Sequence, residues 1–177
     1  MNIKNNKRRR ASIEKIEKVF IELIQTRDIS EIRVSDICKK AELNRTTFYA
    51  NYIDIYDLAD KILEKLEREV DELYSSERTH QYNSNNYLKL FQHIKDNPIF
   101  YKTYFKLSDS SKKTTYIYDI DLAKEFFNDK HIEYHIEFFK AGFNAIVKIW
   151  LDNGCKEEPE EMLEIISSEY RGRMQSL

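Results

Sequence analysis

His131 and His135 stand four residues apart, a spacing that lets two imidazoles on one helix face share a metal ion. A zinc site needs a third ligand, and the sequence identifies none for them, so they read as a surface pair and no metal is expected. Asp119, Asp121 and Glu125 offer carboxylates for acid–base work, but no nucleophile, glycine loop or histidine partners them. Gly142, Gly154 and Gly172 are too far apart to cradle a phosphate, which excludes the Rossmann and P-loop signatures. Cys38 and Cys155 belong to no C-x-x-C pair and fit free thiols in a reducing cytoplasm. No catalytic residue and no cofactor is expected; the chain reads as a non-enzyme.

Charge points elsewhere. Residues 1–52 carry 12 Lys and Arg against 7 Asp and Glu, whereas residues 53–177 carry 17 against 24. A basic N-terminal part on an acidic body suits a protein that meets a polyanion at one end, although charge runs also serve as solvated faces. The run Lys7 to Arg10 has no apolar core behind it, so it is not a signal peptide, and no apolar stretch approaches a membrane span. A soluble, cytoplasmic protein is expected.

Elements must position these charges. With three glycines and two prolines in 177 residues, long helices are favoured over a many-stranded sheet. Ile13, Ile16, Phe20 and Leu23 recur at helical steps and predict a helix over about 11–25. A short helix follows over about 34–41, and Asn44 can cap another over 45 to about 52. Two short helices about a tight turn fit a helix-turn-helix, and equally an ordinary helical hairpin. Asp54 can cap a helix over about 55–74, and the polar segment 75–86 reads as a linker. Further helices are expected at about 84–96, 98–107, 116–128 and 131–153, the last stopping at Asn153-Gly154, with a final one opening on Pro159. That makes an all-α chain of about nine helices.

The segment "VSDICKKAELNRTTFYANY" resembles the helix-turn-helix of the tetracycline-repressor-like (TetR) family. Val34, Ile37, Ala41, Leu43, Asn44, Thr47-Phe48-Tyr49 and Tyr52 carry the likeness, which covers about residues 8–70. "FFKAGFNAIVKIWLDNGCKEEPEEMLEII" is similar to the C-terminal region of a subgroup of that family, in which the last two helices dimerise. The resemblance implies a DNA-binding domain over 1–53, its helix-turn-helix at about 34–52, and an effector-binding and dimerisation domain over 54–177. It also implies double-stranded DNA with a palindromic operator, a second copy of the chain and an unidentified small-molecule effector as partners.

On a recognition helix, Phe48 and Tyr52 at i and i+4 face inward. Arg45, Thr46, Thr47 and Tyr49 then face groove or phosphate, beside Asn44 and Asn51, with Ser35 and Lys39 placed to touch the backbone. Arg8, Arg9 and Arg10 read either as a disordered basic arm along the phosphates or as a solubilising tail. Three positions depart from the family pattern: Glu42 where a turn glycine is common, Asn51 where histidine is, and Ile55 where a phosphate-binding lysine is.

Aromatic residues crowd the middle of the chain. Phe91, Tyr101, Tyr104, Phe105, Phe127 and Phe138 are candidates for an effector cavity, against the alternative of simple core filling. The helix near 131–153 is apolar on more than one side, so Phe143, Ile146 and Trp150, with Met162 and Ile166 of the last helix, are expected at a two-fold interface. A sequence-specific DNA-binding repressor, acting as a homodimer and released or modulated by a small-molecule effector, is the leading reading; the alternative is a TetR-like protein-interaction regulator that does not itself bind DNA.

Overall fold

Apolar side chains recurring at three- and four-residue steps favour helices along the chain. The computed structural model describes residues 3–75, 84–108, 124 and 130–174. Among these, eight α-helices and one 3-10 turn form, and no strand does: α1 Ile3–Ile24, α2 Val34–Ala41, α3 Arg45–Tyr49, α4 Ile55–Ser75, α5 Ser84–Asp96, α6 Pro98–Ser108, α7 Ile132–Asp152 and α8 Pro159–Met174. The helix expected over 116–128, with Asp119, Asp121, Glu125 and Phe127, lies outside the described residues.

The helix ends follow local chemistry. Asp54 Oδ1 accepts from the Asp57 amide at 2.9 Å and starts α4, while the Asp57 carboxylate accepts from the Ile53 amide at 2.8 Å. The α7 helix closes through Gly154 at φ +78°, with the Cys155 amide donating to the Trp150 carbonyl at 2.8 Å. Before α8, the Glu158 amide donates back to Glu161 Oε2 at 2.7 Å.

One sequence expectation is corrected. The basic run Lys7 to Arg10 is neither arm nor tail, because α1 begins at Ile3. Residues 3–10 hold no glycine or proline, and each added turn needs no new nucleus once 11–24 is helical.

The chain divides into two compact units, Met1–Val70 with Thr103–Lys112, and Asp71–Lys102 with Lys113–Leu177. In the first, Ile16 and Phe20 of α1 are buried, as are Ile37 of α2, Phe48 of α3, and Leu58 and Ile62 of α4. Each such side chain contributes roughly 1.5–3 kcal/mol by leaving water. The second unit buries Phe91 and Ile94 of α5, Val147, Trp150 and Leu151 of α7, and Met162 and Ile166 of α8. No helix of the described residues is long and apolar enough to cross a membrane.

Candidate nucleic-acid interface

The geometry starts at the turn between α2 and α3. Glu42 takes the left-handed conformation, φ 57° and ψ 44°, and the Leu43 amide reaches back to the Cys38 carbonyl at 2.9 Å. That conformation is one glycine adopts without strain, so the turn is made here with a side chain on it. Asn44 then caps α3, its Oδ1 accepting from the Thr46 amide at 3.0 Å and from Thr46 Oγ1 at 2.9 Å. The α-helix ends at Tyr49, three residues short of the sequence expectation, although helical hydrogen bonds continue to the Tyr52 amide.

Phe48 and Tyr52 are buried, as their i, i+4 spacing requires, and their rings lie 5.5 Å apart. The Tyr52 hydroxyl donates to Glu17 Oε1 at 3.3 Å, and Lys65 Nζ pairs with Glu17 Oε2 at 3.2 Å. Burial first, and then Glu17, push the Tyr52 hydroxyl far above the ordinary phenol value, so it stays a donor. Lys40 fastens α2 to α1 through Glu22 at 2.9 Å, which holds the Glu22 carboxyl below the usual range. These links tie α3 to α1 and α4.

The opposite side of α3 faces outward. Arg45 and Thr46 are exposed, Tyr49 is 57% exposed, and Thr47 is half-buried. On α2, Lys39 is exposed and Ser35 half-buried. The positive charge of Arg45 also acts on the buried Cys38 thiol, whose pKa burial raises and Arg45 lowers. Asn44 and Asn51 are different: both side chains bond within the protein. Asn51 Nδ2 donates to the Thr47 carbonyl and Asn51 Oδ1 accepts from Arg9 Nε, each at 2.8 Å. Ile55 is buried at 7% exposure, so at that position the chain has core packing in place of a surface cation. Sequence reasoning missed Ile53, 79% exposed, and Tyr56, 57% exposed, which stand just beyond α3. Being single positions outside any periodic stripe, they left no signal.

The other candidate residues are distributed as follows. His131 and His135 are exposed, and the described residues contain no cluster of three or more metal-ligating side chains. Of the effector candidates, Phe91 is buried between Phe143, at 5.8 Å, and Trp150, at 5.7 Å between ring centres. Tyr101 is buried with its hydroxyl 2.8 Å from His93 Nδ1. Tyr104 and Phe105 are buried in the other unit, Phe138 is 66% exposed, and Phe127 is not described. The side chains expected at a two-fold interface are mostly core: Phe143, Trp150, Met162 and Ile166 are buried within the single chain, and Ile146 is half-buried. The apolar side chains that α7 and α8 leave exposed are Tyr134, Phe138, Ile149 and Ile165.

Residues 83–169 match the TetR-type family described as the transcriptional regulator C-terminal region. No curated protein matches the chain. A solved structure, the dihydroxyacetone kinase operon activator DhaS, is 21% identical over 93% of this chain and 96% of that one, with a TM-score of 0.48.

Proposed function

We propose, from the match of residues 83–169 to the C-terminal region of TetR-type transcriptional regulators, that this chain is a sequence-specific DNA-binding repressor. It acts as a homodimer on a palindromic operator and is released or modulated by a small-molecule effector. DNA binding is assigned to residues 1–53, and effector binding and dimerisation to 54–177. One observation carries the reading: α3 buries Phe48, Tyr52 just beyond it is buried as well, and Arg45, Thr46 and Tyr49 are exposed, behind a capped turn from α2. Arginine in that position can bond guanine through two nitrogens, and the hydroxyls can reach phosphate.

Release by an effector requires a ligand that binds one arrangement of the protein better than the other. Within the first unit, the C-terminal half of α6 is bonded to the end of α1. Its Lys106 Nζ donates to the carbonyls of Ile24 and Gln25, at 2.8 and 3.0 Å, and its Thr103 Oγ1 accepts from Gln25 Nε2 at 2.8 Å. On α7, Asn144 Oδ1 is buried with no hydrogen-bond partner among the described residues, an acceptor that a ligand's N–H or O–H would satisfy.

A second reading, regulation by protein contact alone, draws on Ile53 and Tyr56, exposed beside α3. Titrating DNA from upstream of the protein's own gene at several salt concentrations separates the two. The DNA reading expects affinity that falls steeply with salt. Arg45→Ala then costs about 1–3 kcal/mol on the operator and less on random DNA. Equal losses on both would make Arg45 a phosphate contact only. No salt-dependent binding by the unsubstituted protein would favour protein contact.

A further inference from the structure

Three features set the N-terminal turns of α1 apart. The first turn contains no acidic residue to offset the positive end of the helix dipole, and the like charges of Lys7, Arg8, Arg9 and Arg10 follow in the next, an arrangement that promotes fraying. Across 42 residues of sequence, Arg9 Nε nonetheless donates to Asn51 Oδ1 at 2.8 Å. Asn51 is itself fixed at both ends, its Nδ2 on the Thr47 carbonyl at 2.8 Å and its own carbonyl on Lys61 Nζ at 3.2 Å. Lys61 is held in turn by Asp57 at 2.9 Å.

We propose that Asn51 is a positioning residue for DNA binding, which fastens the basic start of α1 to the recognition helix so that Arg9 meets the phosphate backbone as a fixed cation. This rests on the DNA-binding reading above. The planar guanidinium spends its Nε on Asn51 and keeps its two terminal nitrogens for a phosphate. An arginine already ordered in the free protein loses little further entropy on binding. Phosphate beside these turns also neutralises the charge that otherwise frays them.

The test uses Asn51→Ala, Arg9→Ala and the double variant in the full-length protein, with operator affinity measured across a salt series. Amide exchange of residues 7–10 is followed in the absence of DNA. Arg9→Ala lowers the slope of log affinity against log salt by about 0.9, the value of one phosphate contact. Asn51→Ala removes no charge, yet lowers the slope nearly as much and speeds the exchange several-fold. The double variant is no weaker than the weaker single variant, since the two residues act as one unit. Asn51→Asp keeps an acceptor for Arg9 but neutralises it, so exchange stays slow while the slope still falls. An unchanged slope in Asn51→Ala, or losses that add in the double variant, overturns the proposal while leaving DNA binding intact. Absence of salt-dependent binding by the unsubstituted protein sinks both.

Discussion

Glu42 is the residue where local strain and function meet. Its left-handed backbone, φ 57°, brings Cβ against the carbonyl oxygen and costs an L-residue roughly 1–2 kcal/mol. Glycine removes that cost but loosens the unfolded chain, which takes back about 0.4–1 kcal/mol. Glu42→Gly is therefore expected to stabilise the protein by up to about 1 kcal/mol, read as a modest rise in Tm by calorimetry. A fall in Tm would mean that the carboxylate itself supports the turn. The position stands out in the sequence because the surrounding motif calls for a turn there. Asn51 and Ile55 also stand out as departures, but their reasons are spatial: one bonds an arginine 42 residues away, and the other is buried at the start of α4. No spacing within a short segment reports either fact.

Among the elements, α4, α6 and α8 were legible because an apolar period and a start signal, Asp54, Pro98 or Pro159, agree at each. The extension of α1 back to Ile3 was not, since residues 3–10 present no apolar stripe and depend on helix propagation and on Asn51. The link from α6 to α1 was equally invisible, resting on side-chain bonds between distant segments. It gives a prediction at this scale. Lys106→Met keeps the apolar stem and deletes the ammonium that caps the Ile24 and Gln25 carbonyls. Because Lys106 is exposed, solvent screens these bonds, and the loss of stability is about 1 kcal/mol. Amide exchange near the end of α1 should rise, and if α6 transmits the effector's signal, the ligand's effect on operator affinity should shrink. A variant with unchanged exchange would show that the Gln25–Thr103 bond alone holds the two helices.

For the whole molecule, the question is which side of α7 meets a second copy. Sequence reasoning could see that α7 is apolar on more than one side, but not which side the protomer's own core takes. Phe143, Val147, Trp150 and Leu151 are taken up by that core, together with Met162 and Ile166 of α8. A charge at Ile166 is therefore expected to unfold the protomer rather than part a dimer. The outward face carries Tyr134, Phe138 and Ile149, interleaved with Ala141, Gly142 and Ala145, and Ile165 stands exposed on α8. Small residues between large ones let two helices approach closely, and a Cβ built on Gly142 meets nothing within 4 Å in the single chain. Two substitutions then have opposite signatures. Ile149→Glu should leave the protomer's stability within about 0.5 kcal/mol. It would bury an unpaired charge in the dimer, at several kcal/mol, so the protein should sediment as a monomer and lose operator affinity. Gly142→Ala should stabilise an isolated protomer by roughly 0.8–1 kcal/mol through helix propensity, while weakening association if a second α7 crosses there. Sedimentation velocity with thermal unfolding at low and high protein concentration reads both effects. If Ile149→Glu remains dimeric and Gly142→Ala raises Tm equally at every concentration, this face is not the interface, and association must be sought on another surface.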